Sequence, residues 1–291
     1  MIEELKSMEL SKEEFIKLRD YIHKTIGVLV DNDKEYLIKQ RLEPVIKSFN
    51  LSGFSELCDV LKFPPIGLIE QITIAITTNE TSFFRDKGPF DVFNKVLLSD
   101  LTKLINERKS KLFSRKGAKV KIWCVASSTG QEPYSLAMLI NEYCENNING
   151  VSLEDFSILA TDINTTVLAQ AIKGKYNAIE INRGLDAYRI EKYFRQENND
   201  WIVNEKLQSI VEFRRLNLTN SFLSLGGFDL ILCRNVLIYF DDKTKIKILE
   251  EIYQLLSAEG ALILGSSENV YGLNEKFKSQ HIEKTLLYKK H

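Results

Sequence analysis

Gln131 and Glu132 stand at the mouth of a helix in Lys121–Met138, KIWCVASSTGQEPYSLAM. An apolar strand, Ile122–Ala126, leads through the small-residue loop Ser127–Gly130 to a helix opening at Pro133. Strand, tight loop and helix N-terminus in succession form the usual docking point for a small cofactor in an α/β sheet. The loop lacks G-x-G-x-x-G and the Walker lysine, which disfavours a dinucleotide or an ATP phosphate. An acidic group at that entrance attracts positive charge instead. A ligand with an ammonium or sulfonium centre therefore fits better than one with a pyrophosphate.

Three further segments hold residues suited to chemistry. Asp162 ends a second strand in SILATDINTTVL, where a carboxylate suits a ribose diol or caps the helix starting near Asn164; both roles are compatible. Arg234 and Asn235 follow the apolar run Phe228–Cys233 in FDLILCRNVLIYFDD. At the carboxyl end of a buried strand such groups are expensive unless they contact something polar. Tyr239 follows Asn235 by one helical turn, so it either faces the same cleft or packs with Phe240. Upstream, ITTNETSFFRDKGPF (Ile76–Phe90) is dense in hydrogen-bonding groups. Asn79, Thr81 and Arg85 are spaced to line one side of a turn, although Thr78 and Thr81 serve equally as caps and Arg85 as a surface residue.

A sheet is needed to place these groups. The pattern predicts strands at Lys121–Ala126, Ser157–Asp162, Ile210–Asn217, Phe228–Arg234 and Ala261–Gly265, with helices near Pro133–Cys144, Thr165–Lys173 and Lys243–Leu256. Such alternation argues a mostly parallel sheet covered on both faces. The end, FKSQHIEKTLLYKK, has room for a closing hairpin. Between Lys173 and Ile210 lies a polar insertion with a helix-like Leu185–Phe194 and a strand-like Trp201–Val203. Residues 1–73 read as helical. Ser11 caps a helix through Phe15, Leu18, Tyr21 and Ile22, with Glu14 completing a capping box. A second helix, about Lys34–Phe49, turns Tyr36, Leu37, Leu42, Val45 and Ile46 toward a core and presents Lys39, Arg41 and Lys47 elsewhere. A short helix, Phe54–Leu61, precedes the break at Pro64–Pro65.

Composition narrows the function classes. A chain of 291 residues, 44% hydrophobic, suffices for two domains or one large one. A net charge of −1 gives no basic field for nucleic acid or membrane. The apolar runs are too short to span a bilayer, and the first residues are acidic rather than signal-like. Cys58, Cys124, Cys144 and Cys233 show no paired spacing, which suits reduced thiols in a cytoplasmic protein. His23, His281 and His291 lie outside the central motifs, which disfavours histidine acid/base catalysis and a zinc site. Arg108–Lys121, with seven basic residues and no acidic one, reads as a solvated loop.

Taken together, TTNETSFFRD, WCVASSTGQEPYSLAM, ATDIN, RRLNL and FDLILCRNVLIYFD resemble, in order and over nearly the whole chain, the CheR-type chemotaxis receptor glutamate O-methyltransferases, which use S-adenosylmethionine. The resemblance implies an α/β, Rossmann-like doubly wound sheet of the S-adenosylmethionine-dependent methyltransferase kind, mostly parallel with a C-terminal antiparallel strand. It would span residues 74–291, carry an inserted subdomain at about 173–213, and follow a small all-α domain at 1–73. Carried over by position, the cofactor contacts fall on Asn79, Thr81, Arg85, Glu132, Asp162, Asn217, Leu218, Arg234 and Asn235. Asp162 would hold the ribose hydroxyls, Glu132 lie near the charged part, and Asn217 and Leu218 flank the adenine. Arg85 and Tyr239 match positions beside the transferred methyl group. The product would be S-adenosylhomocysteine, with no metal, and the partners the cytoplasmic methylation helices of chemoreceptors, met by a cytoplasmic monomer without nucleic acid or membrane insertion.

Some positions depart from that family. Ala126 stands where glycine is common, and Gln131 where glutamate is; Glu132 keeps one carboxylate, so cofactor binding is expected to survive. Residues 1–73 hold ten Lys and Arg against thirteen Asp and Glu, a net of −3. Receptor docking would then rest on a stripe such as Lys39, Arg41 and Lys47, with a solvated helix face as the alternative. The turn RQENNDWIV has no glycine, which predicts an enzyme independent of a receptor-tail pentapeptide. Two rivals stand beside this reading. A methyltransferase acting on another substrate is one, although NPPY-like and Pro-Cys patterns are missing. An S-adenosylmethionine-binding scaffold is the other, against which the intact Arg85, Glu132, Asp162, Asn235 and Tyr239 argue.

Overall fold

A computed structural model describes residues 8–111, 115–146 and 150–290; Met1–Ser7, the Arg115 and Lys116 side chains, and His291 lie outside the described residues. The chain forms two compact units, Met1–Thr78 with Tyr239–Thr244, and Asn79–Ile238 with Lys245–His291.

In the first unit, α1 (Lys12–Ile26) starts at Ser11, whose hydroxyl accepts the Glu14 amide while the Glu14 carboxylate accepts the Ser11 amide at 2.8 Å. This is the expected capping box. Three more helices follow: α2 (Glu35–Ser48), α3 (Phe54–Val60) and α4 (Leu68–Ile76). Phe15, Leu18, Ile22, Ile38, Leu42, Ile46, Phe54, Leu57 and Leu68 are buried. Tyr36 is not among them; it is 65% exposed. The buried stripe of α2 runs through Ile38, Leu42 and Val45, and helical periodicity carries position 36 away from it.

Arg41 also departs from the expected basic stripe. Its Nη1 donates to the carbonyls of Ala75 (3.2 Å), Ile76 (2.5 Å) and Thr77 (3.1 Å), and its Nη2 to Thr78 Oγ1 (3.1 Å). The last carbonyls of a helix have no intrahelical partner, and a cation there also opposes the helix dipole. Arg41 therefore ends α4; Lys39 and Lys47 are left as the basic groups of α2.

The second unit begins with α5 (Gly88–Val92), which passes through a π-helical turn into α6 (Leu98–Lys111) and then α7 (Arg115–Ala118). Strand β1 (Val120–Val125), helix α8 (Gln131–Asn146), β2 (Phe156–Asp162) and α9 (Thr165–Lys173) form the first strand–helix repeats. The insertion supplies β3 (Lys175–Asn177), α10 (Ala178–Asn182), α11 (Ala187–Tyr193), β4 (Phe194–Glu197), β5 (Asp200–Val203) and α12 (Glu205–Gln208). The main sheet then takes β6 (Val211–Arg215), β7 (Phe228–Cys233), helix α13 (Asp242–Leu255), β8 (Leu256–Leu264), β9 (Phe277–Ile282) and β10 (Thr285–Lys290).

Seven strands lie in the order β6-β2-β1-β7-β8-β10-β9. The first five are mutually parallel, and β10 pairs antiparallel with both β8 and β9, as the closing hairpin required. Continuous apolar runs suit β1 and β7 because both of their faces are covered. Trp123 is packed between Phe222 and Phe228, and its indole N–H donates to Thr161 Oγ1 at 3.0 Å. Since β1 lies between β2 and β7, the topology switches there, and the crevice opens at the carboxyl ends of these strands.

The basic run is less solvated than its composition suggests. Arg108 holds buried Asp229 through two bonds (2.9 and 2.5 Å), and Lys109 reaches buried Asp155 at 2.7 Å. Buried carboxylates require a counter-charge, and α6 supplies both. The insertion contains a three-stranded antiparallel sheet, β3-β5-β4. Its two-residue turn uses Asn198 at φ 56°, the left-handed position where asparagine substitutes for glycine.

Among the described residues, no helix is long and apolar enough to cross a membrane, and no group of three His, Cys, Asp or Glu side chains is placed to hold a metal ion.

Candidate active site

The loop after β1 turns sharply: Ala126 and Ser128 both sit at φ 51° and Gly130 at φ 92°. Two non-glycine residues in the left-handed region within three positions store strain that the surroundings must hold. They do so on three sides. Ser127 N–H donates to the Thr161 carbonyl (2.8 Å), Ser128 N–H to the Asp162 carboxylate (2.8 Å), and Tyr176 Oη to the Thr129 carbonyl (2.7 Å).

Asp162 is buried at the end of β2. Its Oδ1 accepts the Asn164 amide at 2.9 Å, while Asn164, not Asp162, caps α9 by accepting the amides of Thr166 (2.9 Å) and Val167 (3.3 Å). Burial pushes the Asp162 carboxyl up from 3.8, opposed by hydrogen bonds from the amides of Asn164, Ser128 and Ile163. The Asp162 carbonyl accepts the Leu216 amide at 2.8 Å, which joins the ends of β2 and β6 and sets Asn217 and buried Leu218 just beyond. Asn217 Oδ1 accepts both the amide and the hydroxyl of Thr219.

The carboxyl end of β7 meets the entrance of α8 in an ion triad. The Arg234 side chain is 2% exposed; Nη1 contacts Glu132 at 2.7 Å and Nη2 contacts Asp86 at 2.8 Å. Nη2 also donates to the carbonyl of Arg85 at 2.9 Å. Burial raises the Glu132 carboxyl above its ordinary 4.5, against the pull of Arg234. The charge that the helix entrance offered to a cationic ligand is thus already matched by a guanidinium. The helix entrance presents an oriented pair rather than a lone anion.

The segment Asn79–Lys87 is fastened at both ends. The Asn79 carbonyl accepts Ser128 Oγ at 2.9 Å, and the Phe84 amide donates to Ser135 Oγ at 3.1 Å. Phe84 (φ 51°), Asp86 (φ 67°) and Lys87 (φ 39°) are all left-handed, so Arg85 has a strained residue on each side. Gly184 closes the back: a Cβ there would lie 1.9 Å from the Phe83 carbonyl oxygen. The half-buried Arg85 directs one Nη1–H to the Glu80 carbonyl at 2.7 Å, and among the described residues its guanidinium makes no other hydrogen bond.

Nine of the ten expected site residues therefore fall in the second unit: Asn79, Thr81, Arg85, Glu132, Asp162, Asn217, Leu218, Arg234 and Asn235. Hydrogen bonds connect the segments that carry Asn79, Arg85, Glu132, Asp162, Asn217 and Arg234. Tyr239 ends the 3-10 turn Leu237–Tyr239 and belongs to the first unit, where its carbonyl accepts the Leu29 amide at 2.8 Å. Asp86, Ser128 and Ser135 were not read from sequence as part of the site. Asp86 lies inside TTNETSFFRD and Ser128 inside the small-residue loop, so an acid directly after a basic residue and a hydroxyl in a tight loop were the available signals.

A doubly wound sheet, a buried carboxylate ending β2 and an acid–guanidinium pair between the entrance of α8 and the end of β7 accord with the S-adenosylmethionine-dependent methyltransferase fold. The family model described as CheR methyltransferase, SAM binding domain, matches residues 79–286, and the one described as CheR methyltransferase, all-alpha domain, matches residues 13–69. The chain belongs to the CheR methyltransferase family. Chemotaxis protein methyltransferase 1 of Pseudomonas aeruginosa is 35% identical over 97% of this chain and 99% of its own. Chemotaxis protein methyltransferase Cher2 of Pseudomonas putida is 34% identical over 94% and 97%. Chemotaxis protein methyltransferase 1 of Vibrio cholerae is 35% identical over 97% and 98%.

Proposed function

We propose that this protein transfers the methyl group of S-adenosylmethionine to glutamate side-chain carboxylates of chemoreceptors, forming methyl esters for sensory adaptation. The observation that carries this reading is Arg85: a guanidinium with one hydrogen bond among the described residues, on a strained segment fixed by Arg234 and Ser135, with no histidine between residues 24 and 280. A glutamate carboxyl titrates near ~4.3, so it is already a nucleophile at neutral pH and needs no general base.

The residues present fit the cofactor. A carboxylate has about four acceptor sites; three amides engage Asp162, which leaves room for a ribose hydroxyl. Asn217 and Leu218 would border the adenine, and Glu132, Arg234 and Asn235 the amino-acid end. Bound S-adenosylmethionine supplies a methyl group activated by its own positive sulfur. Arg85 holds the acceptor carboxylate. Alignment of this kind supplies up to roughly 7–11 kcal/mol of barrier lowering.

Labelled S-adenosylmethionine incubated with the protein and receptor membranes tests the reading. Label released as methanol by mild base supports a carboxyl ester; base-stable label or none sinks it. Arg85→Ala is expected to lower kcat at saturating substrate, and full turnover by that variant removes the assigned role.

We further propose that the enzyme works as a cytoplasmic monomer without a receptor-tail pentapeptide. Both turn positions, Asn198 and Asn199, carry side chains and so leave no bare backbone for a peptide to approach. Calorimetry that found micromolar binding of such a peptide would overturn this.

A further inference from the structure

Glu268 lies outside every motif noted above, yet its side chain occupies the turn that presents Asn235. The residue is 9% exposed and pairs with no cation among the described residues. Its carboxylate is instead gripped by four backbone N–H groups. Oε2 accepts from Asn235 at 2.7 Å and Gly265 at 2.8 Å; Oε1 accepts from Val236 at 2.9 Å and Ile238 at 3.3 Å. Asn235 is left-handed, φ 56°. Its side-chain amide has no hydrogen-bond partner among the described residues, as expected of a group kept for a ligand.

Gly265 shows how closely this cradle is built. A Cβ there would stand 2.5 Å from Glu268 Oε2, 2.8 Å from the Asn235 nitrogen and 3.0 Å from Asn235 Nδ2. The Asn235 side chain therefore lies directly over a glycine that must stay bare. An ionised carboxylate accepts hydrogen bonds only, so it matches four converging donors. An amide in its place would turn an NH2 toward them.

We propose that Glu268 is a positioning residue for cofactor binding: its carboxylate fixes the left-handed turn after β7 and thereby aims the Asn235 amide. This rests on the proposed role of Asn235 at the cofactor. Anion recognition by convergent amides, ordinarily used for external phosphates and carboxylates, here serves an internal group.

Titration calorimetry with S-adenosylhomocysteine on the full chain tests it, comparing wild type, Glu268→Gln and Asp229→Asn. Asp229 is the control because it is also a buried carboxylate that accepts a backbone amide (Lys121, 3.0 Å), but at the amino end of β7, away from the crevice. Glu268→Gln is expected to weaken S-adenosylhomocysteine about tenfold or more at a temperature where it stays folded. Asp229→Asn should lose melting temperature while keeping wild-type affinity. Unchanged affinity in Glu268→Gln, or equal affinity losses in both variants, overturns the proposal. Should Glu268→Gln not fold, Glu268→Asp, which retains charge but withdraws the carboxylate by one methylene, makes the same comparison. A wild type that binds no S-adenosylhomocysteine refutes the cofactor reading itself, and the proposal with it. Binding without receptor methylation refutes only the substrate.

Discussion

Replacing Arg234 by methionine keeps much of the side-chain volume and removes the charge that Glu132 was folded against. The Glu132 side chain is only 12% exposed, whereas Asp86, the other partner, is 39% exposed. Removing one member of a buried pair costs about 3–5 kcal/mol, while the partly exposed Asp86 contact adds at most ~1 kcal/mol after solvent screening. For a unit of this size each kcal/mol corresponds to roughly 2–4 °C, so Arg234→Met should melt about 6–24 °C lower. Glu132→Gln in the same background removes the stranded charge and should recover at least ~1.5 kcal/mol, read as a coupling energy in a double-mutant cycle by urea denaturation. Single losses that simply add, to within ~0.5 kcal/mol, would falsify the claim that the two groups compensate each other. pH gives an independent check. Burial already raises Glu132, and without Arg234 it rises further. A carboxyl whose folded pKa lies above its unfolded value is a burden when ionised, and that burden is relieved as pH falls through the folded pKa. The deficit of Arg234→Met relative to wild type should therefore shrink on acidification from neutral pH, and a constant or growing deficit counts against the assignment.

Three other expectations can be measured directly. Asp162→Asn should weaken S-adenosylhomocysteine about 10–100-fold, the worth of a charged hydrogen bond; because burial raises the Asp162 carboxyl above 3.8, wild-type affinity should fall on acidification above the ordinary aspartate range, and the variant should show no such dependence. Gly184→Ala places a Cβ 1.9 Å from the Phe83 carbonyl at φ +108°, and a loss of roughly 3 kcal/mol or more is expected in urea unfolding. Arg41→Ala frees the carbonyls at the end of α4 and should destabilise the first unit by about 1 kcal/mol, since Arg41 is only partly buried; hydrogen exchange confined to α4 would register it, and unchanged exchange there argues that water replaces the guanidinium.

Sequence reading succeeded where an element's identity depends on its own residues. The apolar runs Phe228–Cys233 and Ile122–Ala126 read as strands and form β7 and β1, except that Ala126 turns left-handed just past the end of β1, and Thr165–Lys173 is the helix expected, with the same limits. The capping box at Ser11 involves residues three apart. β3 and β4 were not legible, being short and largely polar strands made by pairing with β5. Tyr36 was misplaced because several phases of an amphipathic helix accommodate its neighbours, and only the packed face selects one.

What the sequence determined by itself, then, was the strand–helix alternation of the main sheet, the acid–amide–guanidinium groups at the strand ends, and through five ordered motifs the family. Charge pairing lay beyond it. Arg234 meets Glu132 across 102 positions and Asp86 across 148, and Arg108 meets Asp229 across 121. Each of these side chains reads as a free charge in one dimension. Burial decides otherwise, because a desolvated charge must find its partner wherever the fold brings one. For the same reason the acid at the helix entrance, read as bait for a cationic ligand, is in three dimensions one half of the clamp that holds Arg85 in place.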